Sequence, residues 1–279
     1  MTWVAQNRLP AVAVLSSRTG DPAGARSAAL AEDVRALGGF DAETVIVGDG
    51  LAARLDHLPD RFGAVFLVQI DPALAREESE RAVEHDLRLV VSDHDGTATA
   101  LCAAVLTYLR AVGRPADVAR VAVAGGDNLP LLAPLLMIAG VYDLLMWQDA
   151  NAAAFPWKQV VRDADVAIDL RPGPIAAAET AGIAQDRPEG SVLRPADAER
   201  GQHVVAGVLR VALACPRGSM HVGLSMLRAC AFAIVAATPG PGRARIGDSA
   251  ITDVVAAAVR RSIDPRLATL GATDDLGVI

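Results

Sequence analysis

VVSDHDGTATALCAAVLTYLRAVG, residues 90–113, sets the plan of the chain. It runs from an apolar strand end at Val90-Val91 through the acidic turn Asp93-His94-Asp95 into a long helix. Asp95 before Gly96-Thr97 reads as the N-cap of that helix. Ala98, Leu101, Val105, Tyr108 and Val112 recur at helical spacing and mark its buried stripe. Gly113 and Pro115 end it.

Upstream, short apolar runs at 11–15, 44–47, 65–70 and 88–91 alternate with helical patterns at 22–38, 50–58 and 72–85. Such alternation predicts a mostly parallel sheet covered by helices. Downstream a second series begins, with strands at 121–124, 144–147 and 166–170 and a helix over 128–139. Residues 182–202 are rich in Pro, Gly and Arg and read as loops around weak elements, and helices near 222–237 and 248–262 close the fold. The expected architecture is therefore α/β, with two parallel-sheet units joined by the long helix. The expected divisions are 1–96, 97–245 and a C-terminal helix and tail over 246–279.

The 279 residues are 52% hydrophobic and only 4% aromatic, so a sizeable core built on alanine and aliphatic residues is expected. A formal charge of −7, with no Lys/Arg-rich run, argues against nucleic-acid binding. Three widely spaced cysteines outside any CxxC pair suggest neither disulfides nor a zinc ribbon, and a reducing, cytoplasmic location is expected. No signal peptide is evident. The apolar stretch 222–238 carries Arg228 and is too short to span a membrane, so it reads as a buried helix or a homodimer interface.

The landmarks around the junction resemble the malic enzyme family. FGAVFLVQIDP at 62–72 is similar to the family segment that carries two metal-binding acids, and VVSDHDGTATA at 90–100 to its acidic turn. GGFDAETVIV at 38–47 is similar to the strand entry after the family's catalytic lysine helix. RVAVAGGDNLPLLAPLLMIAGVYDLLMW at 120–147 resembles its dinucleotide-binding unit. The likeness covers roughly residues 10–180 and implies a degenerate, Rossmann-like second unit.

Carried over residue by residue, that resemblance implies lost machinery. The adjacent metal-binding acids correspond to Val68 and Gln69, while the third ligand survives as Asp93. The general-base lysine corresponds to Leu30, and Lys158, the one lysine of the chain, lies in another segment. The partner tyrosine belongs to a family region with no expected counterpart here. In the turn Gly125-Gly126-Asp127-Asn128-Leu129-Pro130, Asp127 and Pro130 replace two glycines, and Gln148 stands for the ribose-binding acid with Asp149 beside it. Asp127 or Asn128 reads instead as an N-cap, with Pro130 in the first helical turn. No nicotinamide cofactor and no metal are expected.

Ligands of open α/β sheets collect at the carboxyl ends of strands. The groups expected there are Ser17, Arg18, Gln69, Asp71, Arg171 and His221 as substrate contacts, with Asp93 and His94 for proton transfer. His57, His85 and His203 read as surface or packing histidines. The implied function is a malic-enzyme-derived, non-redox acid–base enzyme performing an elimination, isomerisation or cyclisation on a small oxygenated, acidic metabolite. The alternatives are a non-catalytic binder of a metabolite or protein, and a nicotinamide oxidoreductase of altered specificity.

Overall fold

A computed structural model describes residues 10–17, 23–47, 50–85, 87–198, 200–238 and 248–263, of which Ser17, residues 23–26, Ile46, Asp248 and Ser249 are described by backbone alone. The chain divides into two compact units. The first comprises Met1–Asp93 and Val205–Val222, the second His94–Val204 and Gly223–Ile279. The expected boundary at 96/97 thus falls within the first turn of the junction helix, and the C-terminal helix belongs to the second unit.

In the first unit, β1 (Ala11–Ser17), α1 (Ala23–Gly38), β2 (Ala42–Val47), α2 (Leu51–Asp56), β3 (Phe62–Val68), α3 (Pro72–Glu84) and β4 (Leu89–Ser92) follow in order. Their sheet is wholly parallel with order β2-β1-β3-β4. β1 and β3 are buried almost throughout, as central parallel strands with covered faces must be. Leu15, Phe62 and Leu67 are the bulk of one side of this core.

The second unit repeats the plan. It contains α4 (Asp93–Ala111), β5 (Arg120–Ala124), α5 (Leu132–Ile138), β6 (Asp143–Trp147), α6 (Trp157–Arg162), β7 (Val166–Asp169), α7 (Pro174–Gln185) and β8 (Val192–Leu193). α8 (Gly201–Ala212) begins in this unit and from Val205 belongs to the first, while α9 (Leu224–Ala237) and α10 (Asp248–Ile263) belong to the second. The sheet is again parallel, in order β6-β5-β7-β8.

One expectation changes. Asp95 is no N-cap: α4 starts at Asp93, and Asp95 is buried in its first turn with its carbonyl accepting from Thr99 Oγ1 at 2.7 Å. Residues 182–202, expected as loops around weak elements, hold the end of α7, the short strand β8 and the start of α8. The apolar side of α9, read as buried or as a homodimer interface, packs on α5 and α10, burying Met226, Leu227, Cys230 and Ile234. The tail beyond residue 263 lies outside the described residues.

No described helix is long and apolar enough to cross a membrane. Burial pushes the Cys102 and Cys230 thiols up to about 12, so both stay protonated and inert near neutral pH. His57 and His85 are exposed at helix ends, their Nδ1 atoms 2.7 and 2.9 Å from the Ala53 and Arg81 carbonyl oxygens. His203 is buried against Thr252 Oγ1 at 2.9 Å.

Candidate functional site

In each unit the chain crosses to the opposite side of its first strand after two strands, between β1 and β3 and again between β5 and β7. The carboxyl ends of those pairs are the places where an open α/β sheet splays and admits ligands.

In the first unit the register aligns Ser16 with Val68 and Leu67 with Ser92. One position further along stand Ser17, Gln69 and Asp93, so three of the expected residues share one rim. Gln69 is the one non-glycine among the described residues with positive φ, at 55°. A side chain there costs about 1–2 kcal/mol, which persists only where neighbours hold it. Asp93 is such a neighbour: Gln69 N donates to its Oδ2 at 3.1 Å. Asp93 Oδ1 and Gln69 Oε1 are both closed off from solvent. Replacing Asp93 by Ala should therefore lower stability by about 1–2 kcal/mol, whereas Asn, which keeps an acceptor, should cost well under half of that. Urea unfolding of the two variants checks this.

The remaining expected groups are placed differently. Asp71 caps α3, accepting from Ala73 N at 2.9 Å and Leu74 N at 3.2 Å. Its Oδ1 thus serves as the cap of the helix. His94 follows Asp93 in α4 and is half-buried. Helical neighbours point about 100° apart, so adjacency does not pair their side chains. His221 is exposed and lines a pocket of about 240 Å³ beside Arg88 and Leu89, at the start of β4, whereas Asp93 follows its end. Ser17 is placed by its backbone alone, and Arg18 lies outside the described residues.

In the second unit the corresponding crevice is filled from within. Gly125 takes φ 69° at the end of β5, and a Cβ there would meet Arg171 Cγ and N and Asn128 Nδ2, each at 3.1 Å. A Cβ on Gly126 would run into Met146 Cε. Asn128 Nδ2 donates to the Gly125 and Leu170 carbonyls, both at 3.2 Å, and ties the turn to the end of β7. Asn128 is thus a brace of the turn. Pro130 precedes α5 rather than opening it, and α5 begins only at Leu132, with no side-chain cap.

Arg171, expected to grip a substrate carboxylate, is consumed internally. Its Nε donates to Asp169 Oδ1 at 2.9 Å, and its Nη2 reaches Asp169 Oδ2 at 2.7 Å and Glu179 at 3.0 Å. Nη1 lies 3.4 Å from the exposed Asp149, and the guanidinium stacks 4.9 Å from the Trp147 ring centre. Asp169 raises the Arg171 pKa against the opposing pull of burial. Burial pushes the Asp169 carboxyl up, but hydrogen bonds from Arg171 and Thr180 together outweigh it and hold it below the usual carboxylate range. Asp169 stands two places before Arg171, on the same side of an extended chain, and that spacing was readable in the sequence. Glu179 and Thr180 carried no such signal.

Two implied groups fail to fit these residues. A divalent metal would need several carboxylates where the chain offers Val68, Gln69 and Asp93, and no cluster of three or more His, Cys, Asp or Glu side chains suited to a metal exists among the described residues. A dinucleotide would need bare glycine faces that Arg171 and Met146 already cover, and a helix N-terminus where α5 has not yet begun.

The fold and these sites define a two-unit, parallel α/β protein whose second unit is Rossmann-like but filled by its own side chains. Solved structures of malic enzymes share that fold. The enzyme from Pyrococcus horikoshii superposes with a TM-score of 0.71 at 18% identity, covering 92% of this chain and 76% of that one. The Entamoeba histolytica malic enzyme gives 0.72 at 18%, over 92% of this chain and 69% of that one. The NAD-dependent malic enzyme from Thermotoga maritima gives 0.72 at 17%, over 91% and 84%. No protein-family model and no curated protein sequence matches the chain. The chain is malic-enzyme-like in fold.

Proposed function

We propose that the chain acts without nicotinamide or metal on a small oxygenated metabolite, by proton transfer at the carboxyl end of the first sheet. Asp93 is the principal proton-transfer group and His94 the second, and the reaction is an elimination, an isomerisation or a cyclisation. The observation that carries this reading is the left-handed Gln69, pinned by Asp93 at the crevice where such sheets take ligands. Strain of this kind costs stability and clusters at ligand and active sites. Ser17 and Gln69 are the substrate contacts expected on the same rim.

A second reading, a non-catalytic metabolite binder, draws on the way Asp71 and Arg171 are spent on architecture. One assay separates the two. A small-molecule extract is incubated with the protein in the presence of EDTA and without added cofactor, then profiled by mass spectrometry. The enzyme reading expects a compound to be consumed and replaced by one of equal mass or one lighter by water. Consumption only after addition of NAD or NADP contradicts it. A compound retained by the protein but unchanged supports the binder.

A further inference from the structure

The second unit carries a pocket of about 400 Å³ between α7 and the turn that follows β8, against about 240 Å³ for the pockets flanking β4 and β7. It alone of these three falls within the roughly 300–1,000 Å³ usual for ligand sites. Ala181 and Ala184 of α7 and Val192 of β8 form its apolar walls, and their short side chains leave the space open. Arg194 and Asp197 stand on its rim.

These two charges are opposite in sign. The Asp197 Oδ2 accepts the backbone N–H of Arg194 at 2.7 Å, which fixes the turn. Among the described residues, however, neither side chain forms an ion pair, with the other or with any third group. Arg194 is half-buried, so its charge is only partly screened by water. The charged groups of its lining are thus one of each sign, which suits a ligand carrying both charges.

We propose that this pocket binds a small zwitterion of the α-amino-acid type. Arg194 takes the carboxylate through its planar fork, Asp197 takes the ammonium, and a short aliphatic side chain lies on Ala181 and Ala184. The site is independent of the proton-transfer rim in the first unit, and no bond is made or broken in it.

The test is calorimetric titration of the full chain with glycine, L-alanine and L-serine, beside acetate and ethylamine as half-ligands. At least one amino acid should saturate the protein below about 10 mM, with both half-ligands at least about tenfold weaker. Arg194→Gln and Asp197→Asn should each weaken binding about 10- to 100-fold, the scale of one charge-assisted hydrogen bond. Neither should unfold the chain, since Asn keeps the acceptor for the Arg194 N–H, and thermal melts verify that. Ala181→Leu should block the pocket while leaving both charges in place. The proposal is overturned if no amino acid saturates, if acetate binds as tightly as L-alanine, or if Ala181→Leu binds like the native chain.

Discussion

Asp93→Asn should abolish turnover by a factor of roughly 10²–10⁴ while leaving the melting temperature almost unchanged. The amide carbonyl can still accept the Gln69 N–H, so the pinned corner and its left-handed backbone survive. What the amide cannot do is take up and release a proton. His94→Gln should give a loss of the same order, because glutamine keeps hydrogen-bonding capacity but does not titrate near neutrality. Asp93→Ala adds a stability loss to the catalytic one, so comparing it with Asn separates positioning from proton transfer. The readout is the rate of the cofactor-free conversion found in the extract assay, measured beside a thermal melt. Full activity in folded Asp93→Asn and His94→Gln proteins would refute the acid–base assignment.

The largest stability effect belongs to the second unit. Arg171→Ala should cost about 3–5 kcal/mol, the usual penalty for removing one member of a buried ion pair. Asp169, 3% exposed, would be left with Thr180 but without its cation. Replacing both partners, Arg171→Met with Asp169→Leu, should recover much of the loss, because no charge is then stranded. The same cluster sets a pH dependence. The Asp169 pKa is depressed in the folded state, so its contribution is complete above the ordinary carboxylate value of 3.8 and fades as pH falls through the lower folded value. Urea midpoints at pH 7 and at pH 3 should therefore differ less in the double variant than in the native chain.

Much of the fold was legible because buried parallel strands are short runs of Val, Ala and Leu separated by helical patterns. Val65 to Val68 and Val121 to Ala124 are such runs, buried throughout. Helix α8 was missed although its period is helical. Val204, Val205, Val208, Leu209 and Ala212 are buried at i, i+1, i+4, i+5 and i+8, but the run is rich in valine, which favours strands, and that composition masked the spacing. Asp95 was misread as a cap because Asp-Gly-Thr is a local signal, whereas β4 passes directly into α4 at Asp93.

At the site, strand-end logic brought Ser17, Gln69 and Asp93 to one rim, since position along a strand follows from the sequence. It could not tell which charged groups were already spent. Asp71 is satisfied by two backbone N–H groups, and Arg171 by carboxylates as far away in sequence as Asp149. Those commitments arise from folding contacts that no spacing rule records. The strained backbone of Gln69 was equally hidden, because glutamine gives no hint of positive φ in the way glycine or asparagine does.

The account stands on a second unit whose cofactor crevice is filled by Arg171 and Met146. Calorimetric titration of the purified chain with NAD and NADP tests that directly. No saturable heat should be seen at about millimolar cofactor for either one. Micromolar binding of either would contradict the account and return the chain to nicotinamide chemistry.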